Sequence, residues 1–164
     1  MLQESSLARL AFLLVVYALA SPAHAGSTTA EENIYAQKLV NETIATYPDL
    51  LVLALHVTPP RSSNNVIIAS NIGLIGKRAD AEDLKVINTG ETLTKVSQFG
   101  NRTEVEQPLH DSSQRRIGTI AMVFPYKAGD DKSQFVVRAT KIRDELERKI
   151  PDVASLMKSN PREP

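Results

Sequence analysis

Apolar and polar residues follow two rhythms along this chain, and the points where one gives way to the other mark the elements. Hydroxyls followed by acids at residues 27–32 make a helix start, and Ile34, Leu39, Val40 and Ile44 then recur at near-helical spacing. A first helix is expected over residues 27–46. It ends at Tyr47-Pro48, because a residue before proline is driven out of the helical region. Residues 51–57 form a short apolar run stopped by Pro59-Pro60. A polar turn at 61–65 separates it from Val66–Ser70, so the pair reads as an antiparallel hairpin.

Residues 71–88 lose the strand rhythm and carry Gly73, Gly76 and the charges Lys77, Arg78, Asp80, Glu82 and Asp83. They read as a connecting lid with a short helix at 79–84. Three more strands are expected at 92–99, 102–109 and 116–126, divided by Gly100-Asn101 and by the polar stretch 110–114. In the last of them Ile117, Ala121 and Val123 fall on one face and Ile120, Met122 and Phe124 on the other, so both faces of that strand should be covered. Phe135, Ala139, Ile142, Leu146 and Ile150 then step at helical spacing to Pro151 and predict a terminal helix docked by those residues. Residues 151–164 read as a mobile tail. The sum is an α+β domain, a five-stranded antiparallel sheet with a long N-terminal helix across one face and a C-terminal helix.

The chain start has a different design. Arg9 precedes an unbroken apolar run at residues 10–20, followed by Ser21-Pro22 and Ala23-His24-Ala25, the layout of a signal peptide cleaved after Ala25. Eleven apolar residues rise only about 16 Å as a helix, roughly half the hydrocarbon thickness, so no stable membrane span is expected after cleavage. The expected location is periplasmic or secreted. Removing residues 1–25 leaves about 140 residues, one ordinary domain assigned to 26–150. The chain holds 19 basic and 19 acidic residues, a balance that attracts neither nucleic acid nor an anionic membrane by bulk charge. It has no cysteine, which excludes disulfides, thiolate metal sites and cysteine nucleophiles.

Several phrases resemble the extracytoplasmic PAS-like sensor modules called single Cache domains. They are the strand at 51–57 after a long helix, the stretch 66–76 (Val-Ile-Ile-Ala-Ser-Asn-Ile-Gly-Leu-Ile-Gly), and the pair Pro108-Leu109-His110-Asp111 and Ile117-Gly118-Thr119-Ile120. The resemblance implies extracytoplasmic sensing of a small molecule. Family members are commonly joined to a membrane helix and a kinase, cyclase or chemotaxis output module. None follows here, so the expectation is a soluble binding protein that works with a separate receptor or envelope protein.

The candidate ligand contacts are His56, Ser70 and Asn71 as polar groups, with Lys77 or Arg78 supplying positive charge from the lid. That combination fits a carboxylate. His56 stands out because a polar side chain in an apolar strand must find a partner or face a polar pocket. His110-Asp111 reads as an exposed turn whose aspartate bonds its own backbone. Glu104 and Glu106 alternate on one strand face and read as an exposed edge or solvent face. The glycines at 73 and 76 read as turn formers, since the Lys-[Ser/Thr] ending of a phosphate loop is missing. No haem or metal ligand spacing is present, so no cofactor is expected. No serine sits in a Gly-x-Ser-x-Gly setting, so catalysis is not expected either. With four Phe, four Tyr and no Trp, an aromatic cage for quaternary amines is not expected. Beside the sensor reading stand a ligand-free interaction or structural protein of the envelope, including a homodimer built through sheet or helices, and a small envelope enzyme.

Overall fold

Five strands, β1 (Val52–Val57), β2 (Val66–Ser70), β3 (Leu93–Val96), β4 (Arg102–His110) and β5 (Arg116–Pro125), form one antiparallel sheet in the order β2-β1-β5-β4-β3. Among the described residues four helices accompany them: α1 (Tyr35–Thr46), α2 (Ala81–Thr89), α3 (Lys132–Glu147) and α4 (Val153–Leu156). The computed structural model describes residues 34–160. The expected signal peptide, the first part of the expected N-terminal helix and the last four residues lie outside the described residues.

The apolar pattern dictates the strand order. β1 and β5 are apolar on both faces, and such strands belong in the middle of a sheet covered on both sides. Their register pairs Leu53 with Met122, Leu55 with Ile120 and Val57 with Gly118. This gathers Leu53, Leu55, Val57, Ile120, Met122 and Phe124 on one face, where Val105 and Leu109 of β4 join them. Against that face lie Leu39 and Val40 of α1 and Ala139, Ile142 and Leu146 of α3, all buried. Phe135 packs its ring 5.9 Å from that of Phe124, so the expected docking stripe of the terminal helix is the observed one. β5 passes so close to β1 that a Cβ added at Gly118 would overlap the His56 carbonyl oxygen.

The segment from Pro151, expected as a mobile tail, instead turns back into the core. The Asp152 carboxylate accepts the Ser155 backbone N–H at 2.6 Å and starts α4. Val153, Leu156 and Met157, spaced three and four apart, give this short segment an apolar stripe, and Leu156 is fully buried. The Tyr35 N–H donates to the Lys158 carbonyl at 2.9 Å, joining the segment to the start of α1.

β2 and β3 are the opposite edges of the sheet, so the chain between them must cross a whole face. It crosses the one that α1 and α3 leave free, and α2 packs there on β4 and β5. Asp80 starts α2 by accepting the N–H groups of Glu82 and Asp83, and the Asp83 carboxylate accepts the Asp80 N–H in return. Gly90, at φ 78°, ends it in the left-handed conformation that glycine adopts without steric cost. The helix therefore starts later and runs further than the short one expected at 79–84.

Candidate functional site

Residues paired directly across neighbouring strands point to the same side of a sheet. One row on the α2 side reads Leu93, Glu106, Ala121, Ala54, and the next reads Lys95, Glu104, Val123, Val52. His56, opposite Thr119, lies on the same face. The small side chains of Ala54 and Ala121 let α2 approach, while the two glutamates of β4 lie beneath its edge. There Glu82 of α2, Leu93, Thr94 and Lys95 of β3, and Glu104 and Glu106 of β4 enclose a cleft of about 220 Å³.

Glu106 is 7% exposed, and among the described residues its Oε2 has no hydrogen-bond partner. Burial, reinforced by the Asp83 and Glu104 carboxylates, pushes its pKa up to about 8. Burial also raises Glu104, against the pull of Lys95. The Lys95 ammonium is held by Glu82, at 2.8 Å from Oε2 and 3.1 Å from Oε1, which ties β3 to α2. The cation at the cleft is thus already paired.

Deeper on the same face, His56 is 4% exposed, with Nδ1 3.5 Å from Asp83 Oδ2 and without a hydrogen-bond partner among the described residues. Burial lowers its pKa more than Asp83 raises it, so the imidazole is neutral at pH 7. Burial alone would raise the Asp80 carboxyl, but the backbone donors of Asp83 and Glu82 hold it below its usual range.

The five residues expected to share a ligand do not converge. Of the five, His56 and Ser70 lie on the α2 face: Ser70 pairs with Ala54 and His56 with Ile67, and the chain then carries Asn71 to the start of β1, away from His56. The Asn71 side chain accepts the Leu53 N–H at 2.8 Å and donates to the Leu51 carbonyl at 3.0 Å, a suture along the start of β1. The buried Ser70 exchanges backbone bonds with the Gln37 amide of α1, and its hydroxyl accepts the Ile72 N–H. Lys77 and Arg78 are exposed, and their backbones pair with the outer edge of β2. The loop borders an apolar cleft of about 320 Å³ lined by residues that include Ile67, Ile75 and Met157, and none of the five lines it.

Glu104 and Glu106 were expected on a solvent face, and this is corrected: β3 pairs outside β4 and α2 lies above, so the face is covered. The available signal was the 92–99 strand next in sequence, which adds a neighbour to β4, together with the length of the 71–88 crossover. The turn at His110-Asp111 is also less exposed than expected. Asp111 is fully buried and accepts from the Ser113 and Arg115 N–H groups and the Arg115 guanidinium. The His110 N–H donates to Glu147 Oε1 at 2.7 Å and its ring Nδ1 lies 3.0 Å from the same oxygen, fastening β4 to α3.

A consequence for stability follows from Glu106. Its carboxyl holds a proton in the fold up to about pH 8 but ionises near 4.5 in an unfolded chain, so the folded state binds more protons between those values. Stability should therefore fall as pH rises from about 4.5 to about 8. Glu106→Gln, isosteric and unable to ionise, is expected to melt several degrees above the parent at pH 9 and close to it at pH 4.5. Melting curves across that range check this, and a constant difference would contradict it.

The order of elements and the covered sheet define a PAS-like fold of the kind found in GAF domains. The GAF domain of a two-component sensor histidine kinase from Bacillus halodurans aligns with a TM-score of 0.50 at 11% identity, covering 69% of this chain and 91% of that one. A protein described as a GAF sensor from Burkholderia vietnamiensis aligns with a TM-score of 0.51 at 12% identity, covering 81% and 94%. At these identities the likeness concerns the fold alone. No family model and no curated protein matches the chain by sequence.

Proposed function

We propose that this protein is an exported small-ligand-sensing module of PAS-like type, which takes its ligand in the cleft beneath α2 and reports to a separate receptor or envelope protein. The observation that carries this reading is the buried Glu106 carboxyl, whose Oε2 has no hydrogen-bond partner among the described residues, in a cleft bounded by the sheet and a crossover helix. A buried polar atom without a partner costs stability, and retaining one at the wall of a cavity is consistent with a partner that arrives from solution. The extracytoplasmic setting, and kinship with single Cache domains in particular, are supported by the leader-like residues 1–25 and the phrases at 66–76 and 108–120. A carboxylate ligand is disfavoured in this cleft: Lys77 and Arg78 do not line it, and the cation that does, Lys95, is held by Glu82.

The test begins with the protein recovered from the extracytoplasmic fraction, where mass spectrometry should find a chain starting at Gly26. The recovered protein is then screened by melting temperature against small metabolites. A ligand present at about a hundred times its Kd stabilises by about 2.7 kcal/mol, a rise of several degrees for a domain of this size. Leu93→Trp, which would fill the cleft with an indole, should abolish the rise. A chain that keeps Met1 contradicts export. A ligand whose effect survives Leu93→Trp binds elsewhere.

A further inference from the structure

We propose that the cleft beneath α2 is a site for a small organic cation bearing N–H donors, a primary ammonium or a guanidinium, whose donors are received by the Glu106 and Glu104 carboxylates. This deepens the ligand-binding reading above and rests on it. Glu106 is more than nine-tenths buried, lines the cavity, and leaves Oε2 without a hydrogen bond among the described residues. The groups around it have one predominant sign. Asp80, Glu82 and Asp83 approach from α2 and Glu104 from β4, the neutral His56 of β1 lies beside Asp83, and Lys95 of β3 is occupied by Glu82. A cation entering here gains from every unpaired carboxylate, whereas an anion meets them uncompensated. Charge-assisted bonds to a carboxylate are short and strong, and a guanidinium or ammonium supplies the donors that Glu106 lacks.

The walls narrow the class further. Leu93 offers apolar surface for a short alkyl chain, and none of the lining residues is aromatic. A quaternary ammonium has no N–H to give and needs aromatic faces, so it is not accommodated. At about 220 Å³ the cavity is smaller than the roughly 300–1,000 Å³ clefts that take drug-sized molecules, which favours a ligand with a short chain.

Seating a cation requires Glu106 to ionise. Because burial and its acidic neighbours hold the proton on it at neutral pH, binding should expel about one proton and tighten as pH rises towards 8. That signature separates recognition of charge from simple filling of the cavity.

The experiment is isothermal titration of the protein at pH 7 in two buffers of different ionisation enthalpy, with melting temperatures in parallel. Butane-1,4-diamine and butylguanidine are the cationic probes, butane-1,4-diol the neutral counterpart and choline the quaternary one. The diamine and butylguanidine should bind with release of a proton, and the diol and choline should not bind. Glu106→Gln should weaken the cations roughly ten- to a hundredfold and abolish proton release, with Glu104→Gln as the second, milder variant. If the diol or choline binds as tightly as the diamine, or if the cations bind equally well to both variants, the inference is overturned. If neither cation binds while a neutral or anionic metabolite occupies the cleft, the cation inference fails and the ligand-binding reading stands. If no ligand of any charge raises the melting temperature, both fail.

Discussion

Gly118→Ala is expected to destabilise the fold by about 3 kcal/mol, at the upper end of what overpacking usually costs. A methyl at this position would overlap the carbonyl oxygen of His56 and stand 3.1 Å from the Val57 Cα. These are backbone atoms of the strand paired with it, so no side-chain rotation can make room. β1 and β5 are neighbouring inner strands of the sheet, and separating them by even part of an ångström loosens both core layers. Urea denaturation should show a lower midpoint at unchanged slope, and a midpoint equal to the parent would contradict the β1–β5 register described above. The same displacement would move His56, so the pH dependence of the variant should differ as well.

Ile142→Glu is expected to be worse, about 4 kcal/mol or more, because it combines loss of a buried aliphatic side chain with burial of an unpaired charge. Ile142 is 1% exposed on the face of α3 that meets the core formed with α1 and the sheet. Domains of this size are stable by only about 5–15 kcal/mol, so the substitution should remove a large part of that margin and lower the melting temperature by many degrees. Val137→Glu on the same helix supplies the control. Val137 is 70% exposed, and its replacement should change stability by less than about 0.5 kcal/mol. Circular dichroism during thermal melting distinguishes the two. Equal melting temperatures would mean that α3 is not docked as described.

The elements that could be read from the sequence are those where local pattern and tertiary environment agree. β2 was expected at Val66–Ser70 and stands there, because a polar turn and a glycine-punctuated loop bound a run of β-branched residues. The stripe Phe135, Ala139, Ile142, Leu146 needed only helical spacing to be recognised, and a single core receives it. α2 was harder to read, since its buried residues are Asp83 and Val86 and the rest of its surface is polar or partly exposed. Its limits are set by the Asp80 cap and Gly90, which local chemistry shows only when the capping pair Asp80 and Asp83 is sought.

None of the residues that line the cleft was singled out as a ligand contact in the sequence. His56 declared itself as a polar interruption in an apolar strand, but Glu104 and Glu106 look like the ordinary outer face of a strand until strand order is known. Burial of a residue at a given position depends on which neighbour pairs outside it and what crosses above, and these are decided by contacts distant in sequence. The charges at Lys77 and Arg78 suggested a ligand contact for the opposite reason. A loop near a strand end attracts notice, yet what this loop contributes to the fold is made by its backbone rather than by its side chains. The turn at Pro151 misled in the same way: a proline that ends a helix says nothing about whether the chain beyond it returns to the core.

That backbone contribution bears on how the molecule avoids its own kind. An outermost strand presents a row of free amide and carbonyl groups that can recruit another chain and seed polymerisation. On β2 the row is occupied from within: the Ile67 N–H donates to the Lys77 carbonyl at 2.9 Å, the Ile67 carbonyl accepts from the Gly76 N–H at 2.8 Å, and the Asn65 carbonyl accepts from the Ala79 N–H at 2.9 Å. The exposed ammonium and guanidinium of Lys77 and Arg78 then stand directly outside this border, where an approaching strand would have to strip their hydration. At the other border β3 is only four residues long and carries Lys95, too short and too charged to serve as a template. Substitutions that detach the 76–79 stretch from β2 would therefore bare that edge to pairing with another chain.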